Sequence, residues 1–403
     1  MKVKIRLLFV INLLAAFILF GGLSAHAGDV RGVTSNTVLI GICSDLTGPS
    51  ATELEAATAG LKLYFRQSND KGGINGRKIK LKIGDDRHSI PTSIAVFKKL
   101  VFRDEVMAIW GPSSTGAGVA LFPIINKYKV PTLITSCSDK LALKFSRYTF
   151  GHQASYVDQT QILYDFLMND LKPSNLRLGI VYPDSEYGKI GLKTARKRAD
   201  FYGVNIIAQE VLSYGTVDAT TQVLGLKRAK VNYVIVKALV STVIPLLKGA
   251  KKFGYSPVFL LDWVTCHEAT VKIAKDAAKN CYGVHNYSSW HEKSLGMEKI
   301  HNTVLKYFEK PKRYHYSNLH SLGWVTGMVV TEGIDKAGRD LNAETFIDAL
   351  ETLDNFDTGG LCGNVTYTST RHKAGRYGKM YKADIEKEKF VPITDWIEPL
   401  SKR

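Results

Sequence analysis

Cysteine is scarce in this chain: five in 403 residues, at Cys43, Cys137, Cys266, Cys281 and Cys362. So few cannot staple a small disulfide scaffold, and without a C-x-x-C or a histidine at zinc-finger spacing no structural metal site is expected. An even subset could pair in an oxidising compartment. Cys266 and Cys281, which bracket a short helical pattern, are the pair best placed for a bridge, though the sequence leaves open whether they form it. Proline is also sparse, and no Pro-, Ser- or Gly-rich tract is long enough to serve as a tether. Apolar residues at 45% against 23% charged exclude a disordered chain. Catalytic signatures are missing too: no Gly-Lys-Ser/Thr phosphate loop, no G-x-S-x-G elbow and no G-x-G-x-x-G opening a helix. No cofactor is expected.

Long apolar runs are confined to one place. Lys2, Lys4 and Arg6 precede an apolar stretch from Leu7 to Phe20, and Ala25-His26-Ala27 supplies a small-x-small cleavage pattern. Residues 1–27 therefore read as a secretory signal peptide, removed on export to the periplasm. No cysteine follows the run closely, so a lipid anchor is not expected. Beyond it the nearest approach to a membrane span is Val231 to Leu247, which Lys237 interrupts. Subtracting the three leader cations from the net charge of +17 leaves +14 (17 − 3), spread along the chain in short clusters with no nucleic-acid module. No nucleic-acid partner is expected.

What is present is alternation. Val38 to Ile42 reads as a strand, and Leu54, Ala57, Leu61 and Phe65 mark one face of a helix. Ile79, Leu81 and Ile83 alternate as a second strand. A helix over 93–102, a strand over 106–110, a helix over 115–128 and a strand over 132–135 follow. Asn75-Gly76 signals a tight turn. The pattern restarts after Phe150, with strands at 176–182, 204–212, 231–236 and 258–261 separated by helices. Long helical patterns over 293–308, 319–336 and 343–353 best complete the first unit. Such β–α repetition forces mostly parallel sheets with helices on both faces. The predicted fold class is α/β, with two doubly wound parallel-sheet lobes.

Two strand ends stand out chemically. Trp110-Gly111-Pro112-Ser113-Ser114-Thr115-Gly116 places hydroxyls and backbone N–H groups at a helix start, where an anion is favoured, although Ser113 or Ser114 could equally be a plain helix cap. The next strand ends in Thr135-Ser136-Cys137-Ser138-Asp139. In open α/β sheets that rim is where ligands bind, so two adjacent strands present donors to one crevice. Asp85-Asp86 with His88 lacks a third ligand for a metal and reads as carboxylates capping the following turn. Lys310 to Tyr316 reads as an exposed loop.

These landmarks, in order, resemble those of the branched-chain amino acid type of periplasmic substrate-binding protein, which serves ABC importers. Ile40-Gly41 with Leu46-Thr47-Gly48-Pro49 is similar to that family's opening, and Asn75-Gly76-Arg77 with Asp85-Asp86 to its second hairpin. Trp110-Gly111-Pro112 with Ser114-Thr115 resembles its paired-hydroxyl turn, Asp184 with Tyr187-Gly188 its tyrosine–glycine, and Phe356 to Leu361 with Gly363 its last hinge. The resemblance implies a type I periplasmic binding protein, a Venus-flytrap clamp with hinge crossings near 150, 287 and 357. Lobe 1 would comprise 28–149 plus 288–356, and lobe 2 150–287 plus 357–403. It implies that a ligand carboxylate meets Ser114, Thr115 and Ser136, Cys137, Ser138 and Asp139, that Tyr187 closes over it, and that Leu239 stands where a second aromatic is common. The acidic residue that holds an amino acid's ammonium aligns with Trp263. Asp262, Asp139 or Glu53 would have to take that duty, or Trp263 would stack on an aromatic or aliphatic body.

The expected function is capture of a small carboxylate-bearing ligand (amino acid, amide or aromatic acid) by a monomer that delivers it to the membrane permease of an ABC importer, without catalysis. A ligand-sensing subunit of a membrane receptor is the first rival. A secreted α/β hydrolase, which would need a nucleophile beside a histidine base, is the second.

Overall fold

The computed structural model describes residues 30–142, 145–151 and 153–401, so the expected signal peptide lies outside the described residues. The first unit alternates β1 (Thr37–Ser44), α1 (Ala51–Asp70), β2 (Lys78–Asp85), α2 (Ile90–Phe102), β3 (Ala108–Trp110), α3 (Thr115–Tyr128), β4 (Thr132–Leu133), α4 (Asp139–Ala142) and β5 (Thr149–Phe150). The strands form one sheet ordered β2-β1-β3-β4-β5, every pair parallel. Fully buried Val38, Ile40 and Ile42 on β1 meet Phe97 and Leu100 of α2 and Leu121 of α3 in one core. The Asn75-Gly76 turn holds both residues at positive φ, 50° and 78°, which is why glycine follows asparagine there.

The second unit runs α5 (Tyr156–Phe166), β6 (Leu178–Tyr182), α6 (Glu186–Tyr202), β7 (Ile206–Val211), α7 (Thr220–Arg228), β8 (Tyr233–Val236), α8 (Val240–Lys252), β9 (Val258–Leu261), α9 (Glu268–Ala274) and β10 (Cys281–His285). Its sheet is ordered β12-β11-β10-β9-β8-β6-β7, where β11 (Lys379–Asp384) and β12 (Lys389–Pro392) add an antiparallel hairpin. Without that hairpin the order β7-β6-β8-β9-β10 is the same permutation as in the first unit. Each sheet therefore has one point, β1/β3 and β6/β8, where successive connections leave in opposite directions.

Three later helices, α10 (Leu295–Tyr307), α11 (Asn318–Ala337) and α12 (Ala343–Glu351), return to the first unit. Contact between α1 and α11 is backbone-close: a Cβ on Gly323 would stand 1.8 Å from the Ala57 carbonyl oxygen, and one on Gly60 2.0 Å from that of His320. Among the described residues no helix is long and apolar enough to cross a membrane.

The chain passes between the units at three places. The first two lie just after β5 and just after β10. Ahead of the third, Leu361 packs over Gly296 of α10, Tyr367 N–H donates to the Leu353 carbonyl at 2.9 Å with its ring 5.1 Å from Phe150, and the second sheet resumes only at Lys379. Gly151 pairs with Lys373 in a parallel bridge, so the passage lies near 373–378 beside the first crossing, not at 357. The apolar spacing of Leu361, Val365 and Tyr367 carries this segment further along the first unit than its Gly-Gly turn suggested.

All five cysteines are buried free thiols, and the expected Cys266–Cys281 bridge is not formed. Cys266 packs over Gly283, two residues along β10 from Cys281, and burial pushes both thiols' pKa values up.

Candidate functional site

A cavity lies where the carboxyl ends of the two sheets meet. From the first unit its walls take Ser50 and Glu53 at the start of α1, His88 after β2, Ser113 and Thr115 after β3, and Ser136 after β4. The second unit adds Tyr156 at the start of α5, and Tyr187, Tyr214, Leu239 and Trp263 at the helix starts and turns following its strands. One wall is thus hydroxyl-rich and the other mostly aromatic.

The hydroxyl wall is built by the turn after β3. Gly111 carries φ of 136°, and a Cβ there would stand 2.2 Å from the Cys43 carbonyl oxygen, so only glycine lets the chain pass β1 this closely. Ser113 N–H then donates to Asp86 Oδ2 at 2.8 Å, and Asp86 also accepts from His88 N–H at 3.0 Å. The carboxylates after β2 do cap turns, as their position suggested. Asp85 likewise accepts from Leu46 N–H at 2.9 Å. Among the described residues no three His, Cys, Asp or Glu side chains gather as a metal site.

The sequence-predicted residues divide. Thr115, Ser136, Tyr187, Leu239 and Trp263 line the cavity; Ser114, Cys137, Ser138, Asp139 and Asp262 do not. Ser114 caps α3, its Oγ accepting from Ala117 N–H at 3.1 Å. Cys137 is buried, and desolvation raises its pKa well above that of a free thiol, which makes it a poor nucleophile. Ser138 is fully buried at the start of the next turn. Asp139 is paired with Lys373 at 3.0 Å. Thr115 Oγ1 lies 3.1 Å from Tyr156 Oη, whereas Ser136 Oγ is buried with no partner and is free to donate into the cavity.

Beneath the aromatic wall sits a pair of which the sequence had marked only one member, Asp262, as a site residue. Lys237 follows β8, Asp262 follows β9, both are fully buried, and Nζ lies 2.7 Å from Oδ2. That contact is one of charge and distance rather than an aligned hydrogen bond. The ammonium also lies 4.9 and 5.1 Å from the ring centroids of Tyr187 and Tyr156, within cation–π range. Tyr187 Oη donates to Asp262 Oδ2, and Thr265 Oγ1 to Oδ1 at 3.1 Å. Both oxygens of Asp262 are thereby occupied by the chain itself.

Glu53 is different. It is 3% exposed, and Oε1 accepts from Val240 N–H at 2.9 Å across the gap between the units, while Oε2 has no partner. Burial pushes its carboxyl up to about 7 against the pull of that N–H. His88 hydrogen-bonds Ser50 Oγ at 2.9 Å through Nδ1, packs edge-on against Tyr214 at 5.3 Å, and has its pKa lowered by burial. The cavity can therefore offer neutral donors and an α3 N-terminus to an anion, aromatic faces to an apolar body, and one carboxylate to a donor.

Residues 37–389 match the family model described as periplasmic binding protein. Leu/Ile/Val-binding protein homolog 7 of Brucella abortus is 25% identical over 232 residues, 55% of this chain and 57% of the relative; homolog 8 is 23% identical over 233 residues, 56% and 57%. The chain thus spans somewhat over half the length of the curated relatives it matches. Among solved structures, a branched-chain amino acid ABC transporter from Thermus thermophilus with bound valine superimposes with a TM-score of 0.82 at 21% identity, over 91% of this chain and 97% of the other. A fatty acid ABC transporter substrate-binding protein from Thermomonospora curvata superimposes at 0.81 and 21%, over 92% and 94%.

Proposed function

The chain belongs to the periplasmic binding protein family, and from that premise we propose that it is an extracytoplasmic solute-binding protein that traps a small carboxylate-bearing molecule between its two units. It hands that molecule to the permease of an ABC importer, acts as a monomer and carries out no covalent chemistry. Capture proceeds by population shift, because a ligand that touches both walls favours the arrangement in which they meet. Thr115, Ser136, Tyr187, Leu239 and Trp263 contact the ligand; Ser114 acts by holding the start of α3.

The observation that carries this reading is the partnerless Ser136 Oγ beside the α3 N-terminus, opposite Trp263 and Tyr187. A buried hydroxyl without a partner costs about 1–3 kcal/mol, which an incoming acceptor recovers. The relatives support it: one neighbour's ligand is valine, and another is described as transporting fatty acid, both carboxylates. In a thermal-shift screen of amino acids, aromatic acids, amides and short dicarboxylates on the unfolded-and-refolded protein, one class should raise Tm. Ser136→Ala and Trp263→Ala should each reduce that shift while leaving the unliganded Tm within a few degrees. If both variants respond like the parent, the ligand sits elsewhere.

A further inference from the structure

The crossings between the units gather at one side of each sheet. They leave after β5, at one edge of the first sheet, and meet the second at β10 and β11, away from β7. The loops after β2 and β7, at the opposite edges, therefore travel furthest when the units part. Those two loops touch. The His88 ring packs edge-on against Tyr214 at 5.3 Å, with its Nδ1 2.9 Å from Ser50 Oγ and with Tyr214 Oη 3.0 Å from Ser185 Oγ. A strained turn presents His88: it and Arg87 hold left-handed backbone, with φ of 57° and 51°. Asp85 and Asp86 fix that turn, accepting from Arg87 N–H at 3.1 Å and from His88 N–H at 3.0 Å. Beside it the starts of α1 and α8 meet. Leu239 has no polar side chain to cap α8, and Glu53 of the other unit supplies the acceptor for Val240 N–H at 2.9 Å. Ser241 Oγ donates to the Pro49 carbonyl at 3.2 Å.

We infer that His88 on Tyr214, Val240 on Glu53 and Ser241 on Pro49 form a latch at the mouth of the cavity, which holds the two units together before any guest arrives. Entry and release then both wait for the latch to part. This rests on the reading above that a guest is held between the units, and adds what governs its passage. Placement argues for it: contacts beside a hinge survive a small opening, whereas those at the far edges are lost first. The chemistry agrees, because every group in the latch takes its partner from the opposite unit and none needs a guest to complete it. Opening would hand the Val240 N–H and the Ser241 hydroxyl back to water. A left-handed pair of side-chain-bearing residues persists only where its surroundings over-determine it, and what this turn presents is a ring aimed at the other unit.

The test needs no ligand. Trp263 lines the cavity at 5% exposure, so acrylamide should reach it only when the lips part. Its quenching is read as the difference between each protein and the Trp263→Phe counterpart. Trp263 of the parent should be quenched about fivefold less than free N-acetyltryptophanamide. Tyr214→Ala and Glu53→Ala should each raise that quenching about threefold, Ser241→Ala somewhat less, and all three should raise the radius of gyration in small-angle scattering. Glu53→Gln, which keeps an acceptor oxygen for Val240 N–H, should stay close to the parent. The other tryptophans report the fold, since Trp110 and Trp324 are buried within the first unit. If they too become quenched, that variant has loosened throughout, and Ser241→Ala, a change at an exposed side chain, decides. A parent quenched as freely as its variants, or variants as protected as the parent, overturns the latch. So does quenching that rises at constant radius, which marks a hole beside Trp263 rather than parted lips. Carboxylate capture is decided separately by the thermal-shift screen and survives each of these results.

Discussion

A lysine ammonium buried beside an aspartate is costly to assemble and costlier to half-remove. Lys237→Met leaves Asp262 charged in a dry site with no cation, held only by the Tyr187 and Thr265 hydroxyls and a long Thr265 N–H contact, so it should lose about 3–5 kcal/mol in urea unfolding. Lys237→Met with Asp262→Asn removes both charges and should recover much of that loss. Equal losses in the single and double variants would mean that the pair is not coupled. Lys237 was visible in the sequence as the only charge in the apolar run Val231 to Leu247, where it interrupts a would-be span. Its partner could not be read there, because 25 residues and a helix separate it from Asp262, and only the β8–β9 pairing brings them together. Glu53 was equally hard to read. An acidic residue in the first turn of a helix is an ordinary partner of the helix dipole, and nothing local says that the second unit will bury it.

At the scale of elements, the periodic segments were legible and the close approaches were not. Predicted and observed limits of α3 coincide at Thr115 and Tyr128, because apolar spacing and the serine cap agree there. The β11–β12 hairpin went unread, since Lys379–Asp384 and Lys389–Pro392 are short and carry charge on their open faces. The α1–α11 seam shows what spacing cannot convey. Gly60 and Gly323 look like poor helix residues, yet each admits the other helix's backbone to within a Cβ's reach. Gly323→Ala gains helix propensity and would still force the helices apart. It should therefore lower stability by about 1–3 kcal/mol in a denaturant titration, where an exposed helix would gain about 1. A stabilised variant would show that the seam yields freely.

Over the whole molecule the two-unit plan followed from β–α repetition, and the matching strand orders place both switch points at one cavity. What repetition cannot show is how charge is distributed across the seam once the units meet. Buried histidines make that distribution sensitive to acid, three of them most directly. His267 hydrogen-bonds Ser317 Oγ through Nε2 at 2.9 Å, linking α9 to the start of α11; His285 keeps Nε2 without a partner; and both ring nitrogens of His320 are unpartnered. Burial lowers their pKa values to about 4, 3 and 3. A histidine whose pKa is depressed on folding binds fewer protons folded than unfolded, so its stabilising effect is complete above about 6.5 and is lost as pH falls towards 3–4. By pH 5 each should have cost about 2 kcal/mol. Glu53 acts in the opposite sense, its raised pKa making the folded state relatively more stable as pH drops from 7 to 4.5, but it is one group against these three and against His88, His315 and His372, whose pKa values burial also lowers. Tm should therefore fall between pH 7 and pH 5, and His320→Gln, which cannot take up the proton, should flatten the fall. A Tm independent of pH across that interval would show that these rings are reached by water in the native state and carry no burial cost.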